Sequence, residues 1–331
     1  MKLEKIVDKF KKSKILVVGE AILDKYIFGE VEKLSPEAPV IVVNEKRVDY
    51  RLGGAANTAN NINSLGGSAY LCSICDRDFE GQILKDIVEE NHINNLLIAN
   101  HGKTIVKTRI IGYYPAHSEQ PIVRIDKEND GDLDSVVEAE VIDYIKEIIP
   151  KMDAVVISDY DKGFLTRKII NEIRKLTENK INTIVDTKPR KMHLYKNFSC
   201  FTPNIMEAYG FSKVKRDSIE KDIKKIGEIM IKRLNPNFLV ITCGGDGMYL
   251  FDECIKHIPV ASNEKAVDVS GAGDTVVAAL ALGLSAGASP FIATKLSNYA
   301  ADVVVKKRGT ATVSADELKR IINKNGYNKR M

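Results

Sequence analysis

The chain has 331 residues, 44% of them hydrophobic, enough to bury a large core as one big α/β domain or two ordinary ones. Its 49 basic and 45 acidic residues are spread along the sequence and leave a net charge of +4, which argues against a nucleic-acid partner, because such surfaces cluster their basic residues. Met1 to Lys14 mixes charges with apolar residues, and no run approaches the ~18 apolar residues of a membrane span, so neither a signal peptide nor a membrane partner is expected.

Lys14 to Val18 is a short apolar run ending at Gly19, the pattern of a buried parallel strand. Between Asp24 and Tyr50 lie Tyr26-Ile-Phe28 and Val40-Ile-Val-Val43, broken by Gly29 and by Ser35-Pro-Glu-Ala-Pro39; two prolines predict a small, partly exposed sheet. An Ala/Asn-rich helix follows Gly53-Gly54, then a strand at Ala69–Ile74, a helix at Phe79–Asn91 and a strand near Leu96. Thr104–Tyr113 and Pro121–Asp126 form a second β-rich excursion. From Asp134 onward helices alternate with strands at Ala154–Ser158, Thr183–Asp186 and Phe238–Thr242, and the chain closes with helices at Ala272–Ala286, Pro290–Lys306 and Ala315–Lys324.

This alternation predicts an α/β fold with a mostly parallel sheet covered on both faces. The two β-rich excursions, near residues 25–50 and 104–126, read as a small β lid over the carboxyl edge of the sheet, where ligands bind in open α/β folds. No linker or repeat divides residues 1–331, so a single domain is expected. Five scattered cysteines predict a reducing compartment and a cytoplasmic protein. Cys72 and Cys75 make a C-x-x-C, but on a strand that spacing points the thiols to opposite faces, and buried structural thiols are expected.

The strongest local motif is Asp268-Val-Ser-Gly271-Ala-Gly273-Asp274-Thr, followed at once by an Ala-rich helix. Glycines at a helix start expose N–H groups to an anion, with the helix dipole behind them. An aspartate in that turn repels phosphate, but makes sense as the acceptor of a hydroxyl proton during phosphoryl transfer. The same residues also suit a plain glycine-rich turn with Asp274 in the first helical turn; the motif leaves both readings open. Neither the Walker pattern nor G-x-G-x-x-G after the first strand is present.

Gly53, Gly54 and Asn57 open another helix, where small residues let a polyol approach the backbone, and Asp24 lies just past the first strand, as a sugar ligand or a turn residue. Asn204 and Glu207, at i and i+3 of a helix start, suit water-mediated Mg²⁺ binding or a capping box.

Asp24, Gly53-Gly54, Asn57, Asn204, Glu207 and Asp274 occur in this order, each at a strand end or helix start, and from Ile15 to Ser314 the chain resembles the ribokinase-like (PfkB) sugar kinases. That resemblance implies a ribokinase-like three-layer sandwich and an ATP- and Mg²⁺-dependent carbohydrate kinase; a monovalent-cation requirement stays open. Leu34-Ser-Pro-Glu-Ala-Pro-Val40 and Ile157-Ser-Asp-Tyr160-Asp-Lys-Gly163 narrow the likeness to the heptose 7-phosphate kinases of that family, which phosphorylate the C1 hydroxyl in making the ADP-heptose precursor of lipopolysaccharide.

The resemblance implies that Asp274 is the base, that Gly271, Ala272 and Gly273 give the anion hole, and that Asp24, Gly53, Gly54 and Asn57 grip the sugar. It places Thr242, Gly244 and Asn298 at the nucleotide, and Asn204 and Glu207 at phosphates and Mg²⁺. For the sugar's own phosphate the candidates are Arg109 and Lys162, with Lys188 as a third, beside the bland alternative of solvated surface cations. Open lid edges suggest a homodimer joined through the lids.

Arg51-Leu52 stands where the family has Arg-Pro, and Asp186-Thr-Lys188 where it has Asp-Pro-Lys, both flanking the candidate site. Bifunctional relatives carry a nucleotidyltransferase domain; no H-x-G-H signature occurs here, so adenylylation is expected elsewhere. The rival readings are a kinase for another sugar, sugar phosphate or nucleoside, and a non-catalytic sugar- or nucleotide-binding regulator.

Overall fold

The computed structural model of the protein describes residues 3–113, 119–128, 133–178, 180–262 and 264–328. In chain order the strands are β1 (Lys14–Gly19), β2 (Ala21–Leu34), β3 (Ile41–Gly53), β4 (Ser68–Ile74), β5 (Asn94–Ile98), β6 (Val106–Tyr113) and β7 (Gln120–Lys127). They continue with β8 (Ala154–Asp159), β9 (Asn182–Thr187), β10 (Cys200–Phe201), β11 (Phe238–Thr242), β12 (Met248–Phe251) and β13 (Ile255–Ile258). Nine strands form one sheet in the order β13-β12-β11-β10-β9-β8-β1-β4-β5, and four form a second in the order β3-β2-β6-β7.

The large sheet is parallel from β5 to β11, with β12 and β13 added antiparallel at one edge. Alternate residues of its central strands serve opposite faces. Ile15 and Val17 of β1 join Ala154 and Val156 of β8 in a core with helices Gly54–Ser64, Ala272–Ser285 and Pro290–Val304. Leu16, Val18, Val155 and Ile157 join the other core, under helices Ser135–Ile148, Arg167–Thr177 and Ile219–Leu234. Both faces are thus covered, which is why these strands read as unbroken apolar runs. Cys72 falls in one core and Cys75 in the other, as their spacing predicts.

From β1 the chain builds outward to β4 and β5, whereas β8 to β11 extend the sheet the other way. The order reverses between β1 and β8, and the crevice past their carboxyl ends is the place such sheets offer a ligand. Gly19-Glu20 and Asp159-Tyr160 lie at that crevice.

The small sheet comes from the two β-rich excursions. Gly29 does not break the first strand as its sequence suggests: β2 runs through it with a shift in register between Phe28 and Gly29. A Cβ on Gly29 would sit 2.7 Å from the Asn44 carbonyl, so the bulge depends on glycine. Both prolines of Ser35–Pro39 fall in the loop joining β2 to β3, clear of the ladder. Residues 114–118, within the second excursion, lie outside the described residues. The hairpin of β12 and β13 and the two-residue β10 have no counterpart in the sequence reading.

Candidate active site

Helix Ala272–Ser285 is built mostly of Ala, Gly, Val and Leu, and every residue from Asp274 to Leu284 is buried. Its N-cap, Gly271, has φ +75°, and a Cβ there would lie 2.7 Å from Asn57 Nδ2. Glycine is therefore required twice over, for the left-handed turn and for the close approach. The turn directs Asp274 into the crevice, where it is 4% exposed. Asn57 Nδ2 donates to its Oδ2 (2.7 Å), Tyr160 Oη to its Oδ1 (2.8 Å) and Thr58 Oγ1 more distantly to Oδ1 (3.4 Å). Burial pushes the Asp274 carboxyl up to about 6, with the Asn57 and Tyr160 hydrogen bonds pulling the other way.

Asp24 is also buried, and Arg109 Nη1 meets its Oδ1 at 2.5 Å. Burial raises its pKa while the Arg109 charge opposes that rise. A Cβ on Gly53 would come within 2.8 Å of Asp24 Oδ2, so the first glycine of the pair makes room for this carboxylate. Gly54 takes φ +58° over the Glu20 carbonyl and starts the helix that carries Asn57. Asp24, Gly53, Gly54, Asn57, Gly271 and Asp274, distant in sequence, thus converge where the two sheets meet.

Two lysines flank the Tyr160 ring among the carboxylates of Asp24, Asp186 and Asp274. Lys107 Nζ lies 5.0 Å and Lys188 Nζ 5.3 Å from the ring centroid. Lys188 pairs with Glu207 Oε1 at 2.7 Å. Asn204 and Glu207 form a reciprocal capping box: Asn204 Oδ1 accepts from Glu207 N (2.9 Å) and Glu207 Oε2 from Asn204 N (3.1 Å). The capping alternative is therefore realised, and Glu207 meets both a backbone N–H and a lysine. Asp186, at the end of β9, is pushed up to about 7 by burial and by the Glu207 charge, with Lys188 opposing.

Two carboxylates held near each other, one of them reluctant to ionise, fit a divalent cation that keeps its water shell. Among the described residues no cluster of three or more His, Cys, Asp or Glu side chains forms a direct metal cage.

On the far side of the Gly271–Asp274 turn a largely apolar cavity of about 520 Å³ is lined by Thr242, Gly244, Met248, Ala272, Gly273 and Asn298, among others. All three residues expected at the nucleotide border it, and Ala272 and Gly273 join it to the Asp274 turn. Asn298 spends its amide on the Pro259 carbonyl (2.7 Å), holding one wall in place. Lys162 pairs instead with Glu128 at 2.5 Å.

Sequence reasoning gave no role to Tyr160, Glu20, Lys107 or Asp186. Glu20 is fully buried and gathers the loop after β8, accepting from Tyr160 N (2.8 Å), Lys162 N (3.2 Å) and Phe164 N (3.3 Å). Its place directly after β1, and that of Tyr160 directly after β8, was the available signal: both follow strands that flank the reversal in sheet order.

The profile of the pfkB family carbohydrate kinases matches residues 12–317. The chain belongs to this family. As a PfkB carbohydrate kinase it is an enzyme that phosphorylates a sugar. The bifunctional protein HldE of Desulfatibacillum aliphaticivorans is 38% identical over 320 residues, covering 95% of this chain and 64% of that protein. HldE of Campylobacter jejuni subsp. jejuni serotype O:6 is 38% identical over 313 residues, covering 93% and 64%. The chain thus spans a little under two thirds of the length of these relatives.

Escherichia coli phosphofructokinase-2 in complex with potassium superposes with a TM-score of 0.78 at 18% identity, covering 95% of this chain and 99% of that one. Arabidopsis thaliana ribokinase complexed with ribose and ATP gives 0.71 at 15% identity, covering 94% and 98%. At such identities the likeness speaks for the fold alone, and the fold is ribokinase-like: a large, mostly parallel sheet between helices with a small second sheet. No helix among the described residues is long and apolar enough to cross a membrane.

Proposed function

We propose that this PfkB kinase transfers the γ-phosphoryl group of ATP to the anomeric C1 hydroxyl of D-glycero-D-manno-heptose 7-phosphate, giving the 1,7-bisphosphate for ADP-heptose and lipopolysaccharide precursor synthesis. The choice of heptose is supported by Leu34–Val40 and Ile157–Gly163 and by the HldE relatives. The single observation that carries the reaction is Asp274: a buried carboxylate with a pKa near 6, held between Asn57 and Tyr160 at a helix N-terminus beside an apolar cavity.

In this reading ATP places its base in the cavity bordered by Thr242, Gly244 and Asn298 and its phosphates along Gly271, Ala272 and Gly273. Asp24, Gly53 and Asn57 hold the sugar with the attacked hydroxyl at Asp274, which takes its proton as the phosphoryl group leaves ADP. The first N–H groups of helix Ala272–Ser285 and the Lys107 and Lys188 ammonium groups face the charge that develops. Glu207 and Asp186 would hold Mg²⁺ through water, with Asn204 fixing the Glu207 end; the ion would neutralise charge on the phosphates. The small sheet serves as a lid on one kinase unit spanning residues 1–331, excluding water from the transfer.

A homodimer through the lids is part of the proposal. β3 and β7 are open edges of the small sheet, with Ile41, Val123 and Ile125 exposed on them and Leu34 and Val40 exposed at the turn from β2 into β3.

The test is ATP turnover with Mg²⁺ across sugars and their phosphates. Turnover concentrated on heptose 7-phosphate supports the assignment. Preference for ribose, fructose or a nucleoside keeps the kinase and removes the heptose; binding without turnover of any acceptor favours a regulator.

A further inference from the structure

One face of the small sheet bears several cations, of which the proposed transfer step draws on Lys107. The ladder sets Asp24, Tyr26 and Phe28 of β2 opposite Arg51, Asp49 and Arg47 of β3. On its other side the same row meets Lys107, Arg109 and Ile111 of β6, and Arg109 in turn pairs with Arg124 of β7. Residues two apart share a face, so these side chains point one way. Of these, Tyr26, Phe28, Arg47, Arg51, Arg109 and Arg124 line, with Arg308, a cavity of about 840 Å³ that begins beside the Asp24 partner Arg109 and runs toward Phe28. From Asp24 to Phe28 is four residues of strand, roughly 13 Å at about 3.3 Å each, the scale of a sugar with a substituent at its far end.

The arginines differ in what they have left to offer. Arg109 is spent on Asp24, and Arg124 makes two hydrogen bonds to Asp126 (2.9 and 3.0 Å). Lys162, a sequence candidate for this task, is engaged by Glu128. Arg51 donates to the Arg308 carbonyl (2.6 Å), and its guanidinium lies 5.2 Å from the Tyr26 ring centroid. Arg47 lies 4.2 Å from the Phe28 ring centroid and touches Asp49 through one nitrogen at 3.2 Å. Stacking on a ring fixes the guanidinium plane and leaves its N–H edges free for a planar or tetrahedral anion.

We propose that Arg47 and Arg51 form a subsite for a phosphate monoester at the end of the acceptor remote from the attacked hydroxyl. This rests on the reading of Asp24 and Asp274 as the transfer site, and assigns discrimination between sugar phosphates and free sugars to β3 of the lid.

The experiment compares kcat/KM for a phosphorylated acceptor and for the same sugar unphosphorylated, in wild type, R47A, R47K, R51A and K162A, with thermal midpoints recorded for each. The phosphorylated-to-unphosphorylated ratio is expected to fall about tenfold or more in R47A and R51A, and less in R47K, which keeps the charge but loses the fork. It should fall least in K162A. A second readout needs no turnover: calorimetric binding of heptose 7-phosphate or fructose 6-phosphate, weaker in R47A than in wild type.

Should heptose 7-phosphate fail as a substrate, the ratio is read on whichever phosphorylated pair is turned over, so the two ideas fail separately. Equal losses on both members of the pair, a wild type that prefers the free sugar, or unchanged binding in R47A overturns the subsite.

Discussion

Tyr160 and Asp274 stand 114 residues apart in sequence and 2.8 Å apart in space, phenol donating to carboxylate. The contact places the loop after β8 against the first turn of helix Ala272–Ser285 and gives the carboxylate a donor in a site that otherwise penalises its charge. Burial raises the Asp274 pKa to about 6, and each donor lowers it. Both effects set the pH at which this group accepts a proton.

The pH profile follows from this. A base works only when ionised, so kcat/KM is expected to rise through pH about 6 and level off above it. In Tyr160→Phe one donor to the carboxylate is lost; the pKa moves up and the acidic limb of the profile shifts to higher pH. A limb that stays in place shows that Tyr160 does not tune Asp274.

Stability should run against activity at the same residue. Asp274 has a folded pKa of about 6 against an ordinary 3.8, so the folded state binds its proton more tightly than the unfolded chain does. Its favourable contribution is complete below pH 3.8 and is lost as pH rises through about 6, a difference approaching 3 kcal/mol at ~1.36 kcal/mol per pKa unit. Asp274→Asn cannot ionise. Its thermal midpoint relative to wild type is expected to improve between pH 4 and 7.5, while kcat falls about a hundredfold or more. A difference in midpoint independent of pH contradicts the burial argument.

Gly271→Ala tests the turn. A methyl group there meets Asn57 Nδ2 at 2.7 Å in a backbone with φ +75°. About 1–3 kcal/mol of destabilisation is expected, together with a large loss in kcat as Asn57 is displaced from Asp274. Chemical denaturation and steady-state kinetics read both; a variant as stable and active as wild type shows that the turn adapts.

Glu20 acts through the loop it holds. Glu20→Gln replaces one carboxylate oxygen with an N–H donor facing the N–H groups of Tyr160, Lys162 and Phe164. A loss of about 1–3 kcal/mol in stability is expected. If the residue positions Tyr160, the acidic limb of the pH profile shifts as it does in Tyr160→Phe; lower stability with an unmoved limb assigns Glu20 to structure alone.

Ala301 borders the apolar cavity with Thr242 and Gly244. Ala301→Leu fills part of that volume and is expected to raise KM for ATP several-fold more than KM for the sugar. A rise confined to the sugar moves the nucleotide elsewhere.

The sequence carried the large sheet because both its faces are buried: runs such as Ile15-Leu-Val-Val18 and Ala154-Val-Val-Ile157 have only one way to sit. The helix starts at Gly54 and Ala272 were legible for a related reason, since a glycine before an Ala-rich run has few other uses. The edge hairpin of β12 and β13 was not legible, because four-residue strands beside a glycine-rich turn give no periodicity to count.

Partners were harder to read than positions. Asp274, Asn57 and Asp24 were singled out from local motifs, whereas Tyr160, Glu20 and Lys107 join them only through contacts that the order of β1 and β8 creates. Arg109 was expected at the sugar's own phosphate from its place in a lid strand, whereas its commitment to Asp24 depends on the β2–β6 register, which no local pattern announces.

The most direct test is phosphorus NMR of heptose 7-phosphate incubated with ATP, Mg²⁺ and either wild type or Asp274→Asn. The account predicts a new phosphate resonance coupled to the anomeric proton, growing with ADP in the wild type and nearly absent in the variant. A product phosphorylated at another carbon, ATP consumed without a sugar product, or a variant as fast as wild type contradicts it.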